Sequence, residues 1–258
     1  MTNKYPSVTV AVLAKDKASM LPAWLRHMDM WDYPQENIRL WIRTNDSKDG
    51  TDGIISDFFE EKRWNFADAD WDWRSVNAEV KNYGVHEWNP VRFDTLGKVR
   101  NESIQMAKQW NTDFYFVCDV DNFILPHTLS ELVKLNLPAV APFLVSADHA
   151  QPAYSNFHNI ATPNGYYQEN PLYYEILNQH VKGLIECDVI HCTYLLNRET
   201  YRQVNYLDGT DRYEYVIFSD TLRKAKVPQY LDNRQIYGCL TTREDVQAVT
   251  EMYEEMLK

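Results

Sequence analysis

The residues best suited to chemistry stand in one stretch, Phe114-Tyr115-Phe116-Val117-Cys118-Asp119-Val120-Asp121-Asn122. Four apolar residues and a cysteine read as a buried strand, and two carboxylates one residue apart follow it directly. In an open α/β sheet, ligands bind outside the carboxyl ends of the strands. Two hard oxygen donors there suit Mg²⁺ or Mn²⁺, which take a few carboxylates and complete their shell with substrate phosphates. Asp119 and Asp121 are the candidate metal ligands, and Val120 between them is counted with the nucleotide contacts.

Phosphatases with an aspartate nucleophile also place Asp-x-Asp after a strand, normally the first of the fold. Here two β-α units come before the pair, and the first strand ends in Ala14-Lys15-Asp16-Lys17. That reading is set aside. A second acidic cluster, Asp68-Ala69-Asp70-Trp71-Asp72, reads as a solvated loop.

A sheet must hold the acidic pair in place. Residues 8–14 form a continuous Val-rich apolar run, which reads as a buried parallel strand. Ser19 caps a helix with Pro22 in its first turn and Leu21, Trp24, Leu25 and Met28 as its stripe. Residues 38–44 read as the second strand. Thr51 caps a helix with Ile54, Ile55, Phe58 and Phe59 inside. Residues 65–90 read as an irregular insertion. Residues 95–110 read as a helix and 126–135 as another, with a strand over 139–145. This β-α-β-α order predicts an α/β fold with a mostly parallel central sheet flanked by helices. Thr241-x-x-Glu244 ahead of Val246, Val249, Tyr253 and Met256 has the form of a capping box opening a last helix.

The 258 residues are enough for a full hydrophobic core. A net charge of −11 argues against general nucleic-acid binding, which relies on clustered Lys and Arg. No segment reaches the ~20 apolar residues of a membrane span. Only 8 glycines occur, in no G-x-G-x-x-G or P-loop spacing. Cys118, Cys187, Cys192 and Cys239 form no C-x-x-C pair and read as buried free thiols. All 8 Trp lie between Trp24 and Trp110, while 13 of the 17 Tyr follow residue 150. This shift suggests two functional halves within one domain.

The ordered motifs now carry a resemblance. They are Thr9-Val10-Ala11-Val12-Leu13-Ala14 then Leu21-Pro22, Asp119-Val120-Asp121-Asn122, and Leu137-Pro138-Ala139-Val140-Ala141-Pro142. They continue through Tyr154-Ser155-Asn156-Phe157, Thr162-Pro163-Asn164-Gly165-Tyr166-Tyr167, Val189-Ile190-His191-Cys192-Thr193-Tyr194-Leu195 and Tyr237-Gly238. Over residues 7–240 the chain resembles nucleotide-sugar transferases of the GT-A fold, most of all the glycosyltransferase domain of the procollagen galactosyltransferase family.

The resemblance implies a single GT-A domain over 1–258, with a nucleotide-sugar half (7–125), an acceptor half (139–240) and a C-terminal helix (241–258). It implies metal-dependent, inverting transfer of a hexose from a UDP-sugar to a hydroxyl, on hydroxylysine of a collagen-like polypeptide or on a glycan. A degenerate module that binds a nucleotide sugar or a partner without turnover is the alternative. Asp119 and Asp121 would hold Mn²⁺ or Mg²⁺ against the leaving diphosphate. Ala14 and Lys15, and Thr44, Asn45 and Asp46, end strands beside the nucleotide. Lys98, Arg100 and Asn101 lie on the helix before the acidic pair, where the family often has an Arg-Asn pair.

Inversion needs a general base. Glu214 stands where the family has the second residue of an Asp-Asp pair, with Tyr213 replacing the first. His191 is a third metal ligand, an acceptor-site residue or a structural histidine. Gln235 takes the late polar position of the family and is a poor metal ligand. Asn156, Tyr166 and Tyr167 are sugar or acceptor candidates. Without a signal peptide, a retention signal or a span, the expectation is a cytoplasmic enzyme of microbial or viral source.

Overall fold

The Val-rich run forms β1 (Val8–Leu13), whose side chains alternate between two faces. Val8, Val10 and Val12 enter one core, and Ala11 enters the other. The computed structural model describes residues 5–76 and 89–258. The later strands are β2 (Ile38–Arg43), β3 (Asp68–Asp72), β4 (Phe114–Cys118), β5 (Asn122–Ile124), β6 (Ala139–Pro142) and β7 (Leu144–Ser146). They continue as β8 (Phe157–His158), β9 (Leu184–Cys187), β10 (Val189–Ile190), β11 (Thr193–Asn197), β12 (Gln229–Asp232) and β13 (Gly238–Leu240).

The main sheet runs β3-β2-β1-β4-β11-β6-β12-β9. Its first four strands are parallel. β11 runs against both β4 and β6, and β9 runs against β12. The sheet is therefore mixed, with its parallel part confined to the first half and to β6–β12. A smaller sheet, β5-β13-β7, sits beside the end of β4.

One face carries α1 (Leu21–Met28), α2 (Thr51–Lys62), α4 (Thr128–Leu135) and α8 (Val246–Met256). The other carries α3 (Pro90–Trp110), α5 (Pro171–Leu177), α6 (Arg198–Tyr201) and α7 (Glu214–Lys224). Among the described residues no helix is long and apolar enough to cross a membrane.

Five local expectations need correction. Asp68–Asp72 is a strand, not a loop, pairing in register with Arg39–Arg43. Backbone pairing to the open edge of β2 outweighs the poor strand propensity of Asp. The buried Arg43 guanidinium secures the strand end, donating to the carbonyls of Asp72 and Arg74 at 3.1 and 2.6 Å. The rest of the supposed insertion, 77–88, lies outside the described residues. Ser19 does not cap α1, whose N-cap is Met20, and Thr51 does not cap α2, whose N-cap is Gly50; Thr51 is the first helical residue and its hydroxyl accepts from Lys17 N instead. The 139–145 run breaks after Pro142, as the chain leaves the main sheet for the small one. The capping box does not form either. Asp245 caps α8 by accepting from Ala248 N at 3.0 Å. That frees Thr241 and Glu244 for other partners.

Gly97 of α3 fits tightly against the 206–207 loop. A Cβ there would stand 2.8 Å from the Tyr206 carbonyl oxygen. Gly97→Ala is expected to cost about 1–3 kcal/mol, read as a lower thermal midpoint.

Candidate active site

β4 ends at Cys118, and the next three residues turn toward β5. Asp119 N donates to Cys192 O at 3.2 Å, and Asn122 Nδ2 donates to Thr193 Oγ1 at 2.8 Å. The acidic pair is thus tied to the start of β11. Cys192 itself has φ of 62° and is spanned by a bond from Thr193 N to His191 O at 2.7 Å. Such a three-residue turn is strained, and strain of this kind gathers at functional sites.

Arg100 Nη2 lies 2.6 Å from Asp119 Oδ1. The guanidinium is buried, and its Nη1 has no hydrogen-bond partner among the described residues. Lys17 Nζ is 3.5 Å from Asp121 Oδ2 and 2.9 Å from Glu244 Oε1. Burial raises the pKa of Asp121, Lys17 opposes the rise, and Asp119 adds to it. Burial works against the Lys17 ammonium, but Asp121 and Glu244 more than offset this and raise its pKa. The order of residues past β1 drew attention to Lys15 and not to Lys17. Both follow the strand end, and no spacing rule distinguishes them.

Asp119, Asp121 and Glu244 set three negative charges against Arg100 and Lys17. A divalent ion would offset the surplus. Among the described residues no three His, Cys, Asp or Glu side chains group as a metal site. The donor set therefore fits an open arrangement, two carboxylates completed by phosphate oxygens, which is the habit of Mg²⁺ and Mn²⁺. His191 Nδ1 lies 2.9 Å from Cys192 Sγ. Burial, with His158 adding, holds His191 well below the usual imidazole pKa. Gln235 is committed elsewhere, to His127 and Glu131 at 3.0 and 3.1 Å.

Glu214 opens α7 with Tyr213 as its N-cap. It is buried, and its Oε2 has no partner among the described residues. Burial pushes its pKa up to about 7, Arg100 pulls down, and Asp119 pushes further up. Around it the Tyr-rich half forms a continuous ring cluster. His191 sits 5.0 Å from Tyr215 and 5.3 Å from His158, centroid to centroid. Tyr167 reaches His158 at 5.4 Å, and Tyr166 reaches Tyr213 at 5.1 Å. The Nε2 of His191 and the Nδ1 of His158 are also buried without partners. Native proteins rarely leave such atoms unpaired, and ordered water or a ligand satisfies them.

The other expected residues divide. Val120 and Ala14 are buried, and Lys15 and Asn45 are half-buried. Thr44 Oγ1 accepts from Trp71 Nε1 at 3.2 Å. Asp46 is exposed with φ of 54°. Lys98 is exposed and paired with Asp94 at 2.6 Å, away from the acidic pair. Asn101 binds the loop before α7 instead, donating to Asn205 Oδ1 at 2.7 Å and accepting from Tyr206 N at 3.1 Å.

Asn156 is wholly buried, and its amide is spent on the backbone. It donates to Pro142 O at 2.8 Å and accepts from Leu144 N at 3.2 Å. It fixes the bend between β6 and β7 and has no group left for a sugar. Asn156→Ala is expected to cost about 2 kcal/mol through the stranded backbone groups, seen as a lower melting midpoint with nucleotide affinity unchanged.

The four cysteines are free, as expected, although Cys192 is half-buried and not fully covered. Of the ring cluster, the resemblance had marked Tyr166, Tyr167 and His191, while His158 and Tyr215 carried no signal beyond the excess of Tyr after residue 150.

Procollagen galactosyltransferase 1-A of Xenopus laevis is 30% identical over 244 residues, covering 91% of this chain and 39% of that protein. Human procollagen galactosyltransferase 2 is 28% identical over 274 residues, covering 98% and 42%. The mouse inactive glycosyltransferase 25 family member 3 is 28% identical, covering 90% and 40%. The chain spans about 40% of the length of these relatives. They are animal proteins and give the expected microbial or viral source no support.

Among solved structures, S. aureus TarS in complex with UDP-GlcNAc matches with a TM-score of 0.58 at 12% identity, covering 92% of this chain and 59% of that one. The mannosyltransferase PcManGT of Pyrobaculum calidifontis, in complex with GDP-Man and Mn²⁺, matches at 0.54 and 14%, covering 92% and 57%. These likenesses establish the GT-A fold. The model of the glycosyltransferase family 25 N-terminal domain matches residues 5–257, and the chain belongs to that family.

Proposed function

We propose that this domain transfers a hexose from a UDP-sugar to a hydroxyl with inversion at the anomeric carbon. One observation carries the reading. A buried carboxyl with a free oxygen, Glu214, lies within the electrostatic reach of Arg100 and Asp119. In its ionised form Glu214 takes the proton of the acceptor hydroxyl. The freed oxygen attacks the anomeric carbon as the bond to the diphosphate breaks, and UDP leaves with the electron pair. Asp119 and Asp121 would hold Mn²⁺ or Mg²⁺, which as a Lewis acid offsets the charge developing on the diphosphate. Arg100, 2.6 Å from Asp119 Oδ1, fixes the position of that carboxylate. The Tyr and His rings supply flat apolar faces for a sugar and a polypeptide.

The names of the relatives favour galactose and a procollagen acceptor, on which the resemblance implies hydroxylysine as the hydroxyl. A glycan acceptor is the second choice. A panel of UDP-sugars, read by UDP release with Mn²⁺ and with or without a hydroxylysine peptide, tests the reading. Sugar transfer to the peptide supports it. The mouse relative named inactive favours a second reading, a module that binds without turnover. Tight UDP binding with no transfer or hydrolysis on any acceptor would establish that one instead.

A further inference from the structure

Lys17 has no part in the reaction as drawn above, yet it is held more firmly than a surface lysine needs to be. Its backbone N donates to Thr51 Oγ1 at 2.8 Å, and its carbonyl accepts from Met20 N and Leu21 N at 3.0 and 2.9 Å. Its side chain is 17% exposed. An ammonium has three N–H donors. Two go to Asp121 and Glu244. The third has no partner among the described residues.

Glu244 is equally constrained. Its φ is 57°, in the left-handed region that costs a non-glycine residue about 1–2 kcal/mol. The 241–245 segment is pinned around it. Thr241 N donates to Asp121 O at 3.1 Å, Thr241 Oγ1 to Asp148 Oδ1 at 2.6 Å, and Thr242 N to Asp148 Oδ2 at 2.7 Å. A strained residue held this tightly, with its carboxylate on a cation beside Asp121, fits a positioning device better than a surface ion pair, which contributes little to stability.

We propose that Lys17 is a ligand of the donor diphosphate and that Glu244 positions it. The inference rests on the nucleotide-sugar reading of the site. A diphosphate arriving beside Asp119 and Asp121 meets a surplus of negative charge, and a lysine ammonium is a compact point charge suited to phosphate oxygens. Arg100 stands on Asp119 and Lys17 on Asp121, so each acid of the pair carries its own cation. Glu244 prevents Lys17 from collapsing fully onto Asp121 and leaves one donor free for the ligand.

The test is UDP binding to the full chain by calorimetry at saturating Mn²⁺, with a melting curve for each variant. Lys17→Met is expected to weaken UDP about tenfold to a hundredfold, and Lys17→Arg to keep most of the affinity. Lys17→Gln replaces Lys17→Met should that variant not fold. Glu244→Gln is expected to weaken UDP less than Lys17→Met. The double variant should then be no weaker than Lys17→Met alone, because Glu244 acts through Lys17. Unchanged UDP binding in folded Lys17→Met or Lys17→Gln would overturn the diphosphate contact. Additive losses in the double variant would overturn the positioning role of Glu244. Wild-type protein that binds no UDP would overturn this inference and the nucleotide-sugar reading together, whereas binding that survives loss of Lys17 would overturn this inference alone.

Discussion

Asp121→Asn is expected to lower sugar transfer about a thousandfold, the scale on which electrostatic clamps on a leaving group act. Stability should stay close to wild type. The partner of Asp121 is Lys17, which keeps Glu244 at 2.9 Å when the Asp121 charge is lost. Asp119→Asn should lose at least as much activity, and its cost to the fold is different. Its partner Arg100 is buried, with a side chain 7% exposed. Removing one partner of a buried pair costs about 3 kcal/mol or more, because the remaining charge is left without compensation. Melting curves beside transfer assays separate the two. Asp121→Asn loses activity alone, and Asp119→Asn loses activity and stability together. Equal melting midpoints for the two variants would show that Arg100 does not depend on Asp119.

Glu214→Gln is the second large effect, and it reverses the usual sign for stability. Transfer should fall about 10²–10⁴-fold on loss of the base. The fold should become more stable at alkaline pH. The Glu214 pKa is raised from an ordinary 4.5 to about 7, first by burial and then by Asp119, with Arg100 opposing. Below pH 4.5 the carboxyl is neutral both folded and unfolded, and the shift contributes nothing. Between 4.5 and 7 the unfolded chain ionises first, so stability falls as pH rises. Above 7 the folded protein carries the whole cost of a buried charge, about 3 kcal/mol. Glutamine removes that cost, so the donor-free variant should melt about 5–10 °C higher than wild type at pH 8 and level with it at pH 4. Wild-type transfer should rise with pH through about 7 as Glu214 ionises. A variant that keeps its activity, or that melts lower than wild type at pH 8, would remove Glu214 from the base role.

The sequence was legible where burial alone decides structure. The runs around Val10 and Phe116 are almost wholly apolar, and such runs become strands buried on both faces. Asp119 and Asp121 became candidates from their place after one of them, and Glu214 from the resemblance alone, which puts a carboxylate at that position. The sequence was less legible where pairing or a single backbone angle decides. Asp68–Asp72 looks solvated by composition, yet the open edge of β2 and the buried Arg43 draw it into the sheet. Asn156 has the side chain of a sugar ligand, and a backbone bend uses it instead. Thr241 and Glu244 match a capping spacing, but the left-handed turn at Glu244 sends its carboxylate to Lys17, more than 200 residues away in sequence. No periodicity encodes such a contact. The ring cluster of Tyr166, Tyr167, His158, His191 and Tyr215 joins four separate segments, so Tyr166, Tyr167 and His191 could be named from the resemblance while their meeting with His158 and Tyr215 could not be read in advance.

The central claim is that Asp119 and Asp121 hold a divalent ion without which the UDP-sugar does not react. UDP release by the wild-type chain, measured with Mn²⁺, then with excess EDTA, then with Asp121→Asn in Mn²⁺, tests it most directly. The expected result is steady release in the first case and near-complete loss in the other two, with Mn²⁺ restoring the EDTA-treated protein. Full release in EDTA, or by Asp121→Asn, would contradict it.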